Sequence, residues 1–354
     1  MLPSMDTDAL PDNLWRYVRT LLPDDLDTSA RASGALVRRR GIRDAEALVR
    51  MLLAYGLTDL SLKSVAGWAA ALGVADVSTP ALFYRVRDAE RWLSILVAAA
   101  LAEEVRPPTQ PWLRLRAVDA TVVTGPGAKG AEWRLHVLSD PTSGRFCAVE
   151  ITDEHGGEGY ALHPVQKGDV VLGDRGYAYS RSVYAAAEAG ADVVVRFNPQ
   201  TLRLCSRDRQ RYPLSSHTAE VPAVGARSWA LIMPVLPPRR QTKSKRSWPL
   251  SKAVAWLEVR VICARTRSDK LIWILTTLSE DQASDIDVLD LYRLRWQIEL
   301  MFKRWKSLLD LDTLPSQKGP TARSWILSRL LGAALAQKLL DPNAALSPWG
   351  YVLR

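Results

Sequence analysis

The sequence predicts an α/β protein, in which a β-sheet interleaved with helices is preceded by an all-helical N-terminal domain. Residues 1–106 carry apolar residues at helical spacing. Residues 107–198 alternate between strands and helices, and residues 199–280 are β-rich. The stretch RPPTQP, at the start of this second part, has three prolines and cannot be helical. It therefore marks the boundary between the two domains.

The N-terminal domain contains two segments with clear helical periodicity, DAEALVRMLLAYGL and SLKSVAGWAAALG, and Gly73 can close the second. Thr79 followed by Pro80 is typical of an N-cap with proline at the first helical position. A helix, a glycine-containing turn and a helix that bears Arg85 and Arg87 are typical of a helix-turn-helix-like module. A plain helical bundle would give the same pattern, so both interpretations stay open.

The next region has the element order β-β-β-(α)-β-α-β. LRLRAVDATVV, AEWRLHVLS and GRFCAVEITD follow one another with short links, which predicts an antiparallel meander. VVLGD, which ends at Asp174, and ADVVVRF are short apolar strands on either side of a helix, which favours parallel pairing. Strands one and four are neighbours in the ribonuclease-H-like fold, which has this order. Asp119 and Asp174 would then lie side by side.

Residues 199–280 read as a β-rich insertion of three strands, RSWALIMPVL, AVAWLEVRVIC and KLIWILTTL, with the basic loop PPRRQTKSKRSWP between the first two. The core returns at residues 281–312 with a helix from about Ile286 to Leu311, whose start is marked by Ser284 and Asp285. Residues 313–354 supply a last helix and a tail.

The helix of residues 281–312 is strongly amphipathic. Four residues lie within roughly 60° of one another on its polar face: Tyr292, Arg295, Glu299 and Lys306. The opposite face is apolar and carries Leu294, Ile298, Met301, Trp305 and Leu308. The simplest interpretation is a surface helix with ordinary i,i+4 ion pairs, each worth about 0.2–0.5 kcal/mol. The other acids of the chain favour a more specific one.

Three carboxylates can converge in this fold. Asp119 lies on a strand face that is otherwise apolar or small, where a lone carboxylate is costly unless it is paired or binds a cation. Asp174 ends a buried strand, where open α/β sheets place their sites. A helix packed on that sheet would bring Glu299 to the same point. Taken singly, the strand aspartate could be a structural acceptor and GDRGY a simple turn.

Three converging carboxylates favour Mg²⁺ or Mn²⁺, because these ions prefer oxygen ligands and take only a few from protein. Two such ions about 3.5–4 Å apart can carry out phosphodiester chemistry. The chain has four histidines and three cysteines without a CxxC pattern, which favours neither a zinc site nor a disulfide framework. The cysteines are typical of a cytoplasmic protein with reduced thiols.

The net charge of +9 and the pI of about 9.6 favour a polyanionic partner, most simply nucleic acid. The first ten residues, MLPSMDTDAL, are acidic and do not resemble a signal peptide. The longest apolar run, WLSILVAAALA at residues 92–102, is too short to span a bilayer. We therefore expect no membrane association.

The residues Tyr292-x2-Arg295-x3-Glu299-x6-Lys306 match the Y-R-E-K signature in type and spacing, and the chain resembles the insertion-sequence-four-type DDE transposases of bacterial insertion sequences. LRAVDATVV and VVLGDRGYAYS resemble the segments that carry the first and second aspartates of that family. The resemblance implies that Asp119, Asp174 and Glu299 ligate the catalytic metal ions, two Mg²⁺ or Mn²⁺ ions. It also implies that Tyr292, Arg295 and Lys306 bind phosphates near the transposon end.

Two further sets of residues follow from the resemblance. Trp273 stands where some of these enzymes have a tryptophan that stacks on a flipped base; a core tryptophan is the alternative. The basic loop would track the DNA backbone, unless it is merely solvated, with the side chains of Arg239, Arg240, Lys243, Lys245 and Arg246.

The resemblance implies a cut-and-paste transposase. Water would hydrolyse a phosphodiester at each end of the element, and the freed 3′-OH would attack target DNA, with a DNA-hairpin step left open. The implied partners are double-stranded DNA, as terminal inverted repeats and as target, and a second subunit in a homodimeric synaptic complex on the bacterial nucleoid. Only 48 residues follow Lys306, fewer than in relatives with a C-terminal dimerisation domain.

Two alternatives remain: a metal-dependent nuclease that does not join DNA, and an inactive DNA-binding descendant. The presence of all three acids argues against the inactive descendant. A strand-transfer assay would distinguish a nuclease from a transposase. Tyr292 as a covalent nucleophile is rejected, because it belongs to the phosphate-gripping set.

Overall fold

The computed structural model describes residues 12–102, 114–127, 132–237, 249–266, 268–312, 314–315 and 319–339. Its elements in chain order are α1 (Asp12–Thr20), α2 (Leu26–Ser33), α3 (Ala45–Leu57), α4 (Leu62–Ala71), α5 (Thr79–Asp88), α6 (Glu90–Leu101), β1 (Arg114–Val123), β2 (Trp133–Asp140), β3 (Arg145–Asp153), β4 (Asp169–Gly173), α7 (Ser180–Glu188), β5 (Asp192–Arg196), β6 (Ala226–Val235), β7 (Ala255–Arg265), β8 (Leu271–Thr276), α8 (Asp285–Arg293), α9 (Trp296–Leu309) and α10 (Gly319–Leu339).

Contacts divide the chain into two compact units. The first, called the helical unit below, comprises the described residues within Met1–Glu104, Val122–Trp133 and Lys303–Ala344. The second, called the sheet unit, comprises those within Val105–Thr121 and Arg134–Phe302. Within the described residues, the chain passes between the two units inside β1, at the start of β2 and inside α9.

Side-chain caps fix where the helices of the helical unit begin. Asp44 and Ser61 accept hydrogen bonds from backbone amides at the starts of α3 and α4. At α5 the cap is Ser78, whose hydroxyl accepts from the Ala81 amide at 3.4 Å. The prediction that Thr79 is the cap is therefore wrong by one residue, because Ser78 has the extended backbone of a cap and Thr79 is already helical.

The last helix, α10, completes the helical unit. It packs against α3, α5 and α6, so the segment predicted as a separate C-terminal helix belongs with the N-terminal helices. The pair α4–α5 has the helix–turn–helix order of the prediction, with Gly73 in the left-handed conformation between them. Of the described helices, none combines the length and apolarity that crossing a membrane requires.

Within the described residues, eight strands form one sheet in the order β3-β2-β1-β4-β5-β8-β7-β6. The pairs β1–β4 and β4–β5 are parallel, as the apolar strands predicted. The pairs β5–β8, β7–β8 and β6–β7 are antiparallel. The three strands expected as an insertion therefore extend this same sheet at the β5 edge.

The register of β1 against β4 is fixed at the end where both strands begin. Arg114 pairs with Asp169, and Ala117 pairs with Leu172. Asp169 is buried, and its carboxylate accepts from Arg114 Nε at 2.5 Å and from the Gln166 amide at 2.8 Å. Asp119 follows Arg114 by as many residues as Asp174 follows Asp169. The register therefore places Asp119 and Asp174 at neighbouring positions.

We predict opposite stability effects for two glycine-to-alanine substitutions in the helical unit. Gly56 in α3 approaches α10 so closely that an added Cβ would collide with the Cβ of Ser328. Gly56→Ala should therefore lower the free energy of unfolding by about 1–3 kcal/mol, since the helices must separate. Gly67 in α4 is exposed with open space around it, so Gly67→Ala should raise it by about 1 kcal/mol.

Chemical denaturation of the two variants beside the wild type measures both effects. Equal effects of the two substitutions would contradict the close α3–α10 packing.

Candidate active site

Asp119 and Asp174 form the centre of the candidate site in the sheet unit. Asp174 directly follows β4 and caps a short 3-10 helix, Arg175–Tyr177, with its carboxylate accepting from the Gly176 amide at 2.8 Å. Asp119 lies within β1, and its carboxylate accepts from the Ala120 amide at 2.8 Å. Burial raises the pKa of Asp119 to about 6, and the negative charge of Asp174 adds to this rise.

The segment that carries the Y-R-E-K residues is not one continuous helix. It starts where predicted, since Ser284 and Asp287 form a reciprocal capping box at the first turn of α8. However, α8 ends at Arg293 and α9 begins at Trp296. Between them the amides bond three residues back, from Arg295 to Tyr292 at 3.1 Å. This tighter 3-10 turn divides the predicted helix.

The division changes where the four signature residues lie. Tyr292 belongs to α8, Arg295 lies in the tight turn, and Glu299 and Lys306 belong to α9. The apolar face is largely as predicted, with Ile298, Met301 and Trp305 buried and Leu294 half-buried. Leu308 departs from the prediction, with 76% of its surface exposed.

Arg295 connects two of the predicted acids. Its Nη1 lies 3.3 Å from Asp119 Oδ2, and its Nη2 lies 2.5 Å from Glu299 Oε1. The same guanidinium lies over the ring of Tyr292, 5.9 Å from its centroid. The Arg295 and Asp119 side chains are 16% and 17% exposed, so this contact is shielded from solvent more than a surface ion pair. A strand, a turn and a helix are thereby joined at one point.

Glu158 is a fourth acid at this site, and the sequence reasoning missed it. Burial and the charge of Asp174 raise the pKa of Glu158, while its ion pair with Arg134 at 3.7 Å lowers it. A Cβ added to Gly176 would collide with Glu158 Oε2 and lie 3.1 Å from Asp174 Oδ1. The available signal in the sequence was an acid flanked by glycines in HGGEGY, between the third and fourth strands.

Two buried tyrosines lie next to the acids. The Tyr160 hydroxyl lies against Gly173, where an added Cβ would collide with it, and it has no hydrogen-bond partner in the part of the chain that the structure describes. The Tyr160 and Tyr177 rings are 5.3 Å apart between centroids. Burial raises the pKa of both phenols, so both stay protonated.

Trp273 occupies the core of the sheet unit. Only 7% of it is exposed, and its ring stacks on Trp229 at 5.7 Å between centroids with an angle of 25°. Phe197 meets it edge-on at 6.4 Å. This packing favours the second of the two interpretations of Trp273, a core tryptophan, over a base-stacking one.

The predicted DNA-binding arginines of the helical unit already have partners. Arg85 donates to the carbonyl oxygens of Ala35 and Arg38, at 3.4 Å and 2.6 Å. Arg87 forms an ion pair with Asp88 at 2.7 Å and lies over the Tyr84 ring. Arg85 therefore links α5 to the segment between α2 and α3, whereas Arg87 lies on an exposed face. The basic loop, with Arg239, Arg240, Lys243, Lys245 and Arg246, lies outside the described residues.

Acidic side chains at one end of two parallel strands, with a basic turn beside them, are compatible with metal-assisted phosphodiester chemistry. The family described as "Transposase DDE domain" matches residues 113–335. The chain belongs to this family. It is therefore a DNA transposase, an enzyme that cleaves and transfers DNA, as the signature predicted.

Bacterial relatives are similar over almost the whole chain. The putative transposase InsL of insertion sequence element IS186A, from Escherichia coli (strain K12), is 36% identical over 347 residues, which cover 92% of this chain and 93% of the relative. The transposase of insertion sequence element IS421, from Escherichia coli, is 36% identical over 348 residues, with the same coverage. The insertion-sequence origin suggested by the signature is thus confirmed.

One solved structure shares the fold at low sequence identity. It is the cryo-EM structure of a piggyBac transposase synaptic complex with hairpin DNA, with a TM-score of 0.51 and 9% identity. The similarity covers 95% of this chain and 76% of that one. At this identity it shows a common fold and nothing finer.

The raised pKa of Asp119 predicts a pH-dependent stability. Because its pKa is about 6 in the folded protein and 3.8 ordinarily, the folded state binds the proton more tightly. The stabilisation is complete below about pH 4 and is lost as the pH rises through about 6. Between pH 4 and 7 in EDTA, wild type should lose about 2 kcal/mol of unfolding free energy relative to Asp119→Asn. Urea denaturation of both proteins at both pH values measures the loss. The same change in unfolding free energy for wild type and Asp119→Asn would contradict the prediction.

Proposed function

We propose that this transposase cleaves the ends of its insertion sequence and joins the freed 3′-OH to target DNA, with Asp119, Asp174 and Glu299 as its catalytic acids. One observation carries the proposal: the β1–β4 register sets Asp119 beside Asp174, and Arg295 links Asp119 to Glu299. These contacts support a shared site for three acids that are far apart in sequence.

We also propose a ribonuclease-H-like core. Five of the strands follow the order β3-β2-β1-β4-β5, with β1, β4 and β5 parallel. This is the order in which the first and fourth strands are neighbours, as the sequence interpretation required. Strands β6 to β8 would then be the β-rich insertion of the family, attached to the free edge of β5.

The acids fit a pair of Mg²⁺ or Mn²⁺ ions. All the candidate donors are carboxylate oxygens, which these hard ions prefer, and no histidine or cysteine is among them. Asp119 is largely buried beside Asp174, where two negative charges repel each other and a cation would relieve the repulsion. We propose Asp119, Asp174 and Glu299 as the ligands. When bound, such ions activate an attacking oxygen and stabilise a leaving one.

Arg295, Tyr292 and Lys306 would bind DNA phosphates. A guanidinium can meet a phosphate with two parallel hydrogen bonds, and an ammonium as a point charge. Burial raises the pKa of Tyr292, so its phenol remains a hydrogen-bond donor rather than a nucleophile. Arg295 bonds to Asp119 and Glu299 in the DNA-free protein. Its transfer to a phosphate would free both carboxylates at the moment that DNA arrives.

The remaining contacts with DNA would come from several basic surfaces. The α4–turn–α5 pair, with Arg87 exposed on α5, is the proposed reader of the terminal inverted repeats. The net charge of +9 supports binding along the DNA backbone. We propose that two copies of the chain act together on paired ends, in the bacterial cytoplasm where the chromosome lies.

Loss of a metal ligand should separate binding from chemistry. Glu299→Gln and Asp174→Ala should abolish cleavage, whereas affinity for end DNA should remain, because neither residue is a proposed phosphate contact. The assay incubates each protein with DNA that carries the ends flanking its gene, with Mg²⁺ or with EDTA, and follows release of a 3′-OH and joining to a plasmid. Cleavage by Glu299→Gln at the wild-type rate would refute its assignment as a ligand.

The same assay separates the alternatives for the wild type. Cleavage followed by joining supports the proposal. Cleavage that is never followed by joining would indicate a nuclease, and binding without cleavage would indicate an inactive copy.

Arg295→Ala should weaken end binding and reduce its salt dependence. If Arg295 contacts one phosphate, the slope of log K against log[salt] should fall by about 0.9. The matched control is Arg293→Ala, which removes an exposed arginine two residues away that pairs with Asp290. Fluorescence anisotropy across a salt series measures both slopes. An equal change in the two variants would show a general charge effect instead of a specific contact.

A further inference from the structure

Glu158, which is not part of the Y-R-E-K signature, lies next to Asp174, the second of the proposed catalytic aspartates. We propose that Glu158 is a fourth carboxylate of the catalytic centre, which joins Asp174 in holding a divalent cation. This inference rests on the proposed function, since it adds a ligand to the metal site proposed there.

The first argument is the position of the two carboxylates. Glu158 Oε2 occupies the space that a side chain at residue 176 would need, and Asp174 Oδ1 lies 3.1 Å from the same point. Two oxygens from separate segments thus lie within 3.1 Å of one point. Glycine at position 176 is what leaves this space free. Its amide meanwhile donates to Asp174, which fixes the orientation of that carboxylate.

The second argument is the anchoring of the Glu158 backbone. The Tyr179 hydroxyl donates to the Glu158 carbonyl oxygen at 2.9 Å. The Tyr160 amide donates to Ser182 Oγ at 3.0 Å. Tyr179 and Ser182 both come from the segment that follows Asp174, so the two acids are held by one piece of chain. Such pre-positioning by surrounding hydrogen bonds is what ligand carboxylates need.

The third argument is the unpaired hydroxyl of Tyr160. This residue is 1% exposed, and its hydroxyl lies against Gly173, directly before Asp174, without a hydrogen-bond partner among the residues described. A buried donor left unpaired is costly, so its position favours an acceptor nearby. A carboxylate rearranged by a cation would supply that acceptor.

Arg134 explains how Glu158 is tolerated without a cation. Its Nη1 lies 3.7 Å from Glu158 Oε1, and the two side chains are 27% and 26% exposed. A partly exposed pair at this distance is weak, so a divalent cation can displace the arginine. Arg134 therefore competes with the cation for the same carboxylate, and its removal should tighten cation binding.

The test is a titration with Mn²⁺, in which electron paramagnetic resonance reports the free ion, on the full chain alone and in complex with end DNA. Glu158→Gln should weaken Mn²⁺ binding about 10-fold, as loss of a supporting ligand does. The matched control Glu188→Gln removes an exposed acid at the end of α7 and should leave affinity unchanged. Asp174→Asn serves as the reference for loss of a proposed ligand.

Arg134→Gln should have the opposite effect and raise Mn²⁺ affinity about 3-fold. It removes the competing ion pair, and a partly exposed ion pair is worth under about 1 kcal/mol. It keeps the inference testable if Glu158→Gln does not fold. Weaker binding in Glu158→Gln together with tighter binding in Arg134→Gln supports the proposal. Wild-type affinity in both variants, with loss in Asp174→Asn, overturns it and leaves the proposed function intact. Unchanged affinity in Asp174→Asn as well would overturn the metal site itself.

Discussion

The parallel pairing of β1 with β4 is the constraint on which the site depends. Its register is set at the far end of the strands, where buried Asp169 accepts from Arg114. Because side chains alternate between the two faces of a strand, a slip of one residue would send Asp119 to the opposite face. An ion pair remote from the proposed site therefore supports the register that places Asp119 beside Asp174.

The second organising element is the tight turn between α8 and α9. It places Arg295 between an acid on the sheet and an acid on the helix, at 3.3 Å and 2.5 Å. Opposite charges hold the cluster together in the absence of DNA and metal. In the proposed function, a DNA phosphate would compete for Arg295, and a cation would compete for the carboxylates.

Much of the sheet could be predicted from the sequence, because short apolar strands and their turns are local signals. The adjacency of strands one and four followed from element order alone. The break at Arg295 could not be predicted, since bonds three or four residues back leave nearly the same apolar periodicity. Glu158 was missed for a different reason: its importance depends on the space left by Gly176, which only the folded chain reveals.

Long-range packing was also beyond the sequence patterns. Trp273 has the same neighbours in sequence whether it faces DNA or the core, and only the folded structure, through the contact with Trp229, favours the core. Likewise, the periodicity of α10 indicated a helix but not its partners, because an apolar face does not specify which surface will cover it.

The packing of α10 on α3, α5 and α6 delays the folding of the N-terminal helices during translation. About 220 residues separate Leu101 from Gly319. At about 5–20 residues per second, synthesis of that stretch takes roughly 10–40 s. Throughout this interval the N-terminal helices lack the partner that covers their apolar surfaces. A nascent or prematurely terminated chain is consequently exposed to chaperones and proteases, and the N-terminal helices reach their final packing only once translation is nearly complete.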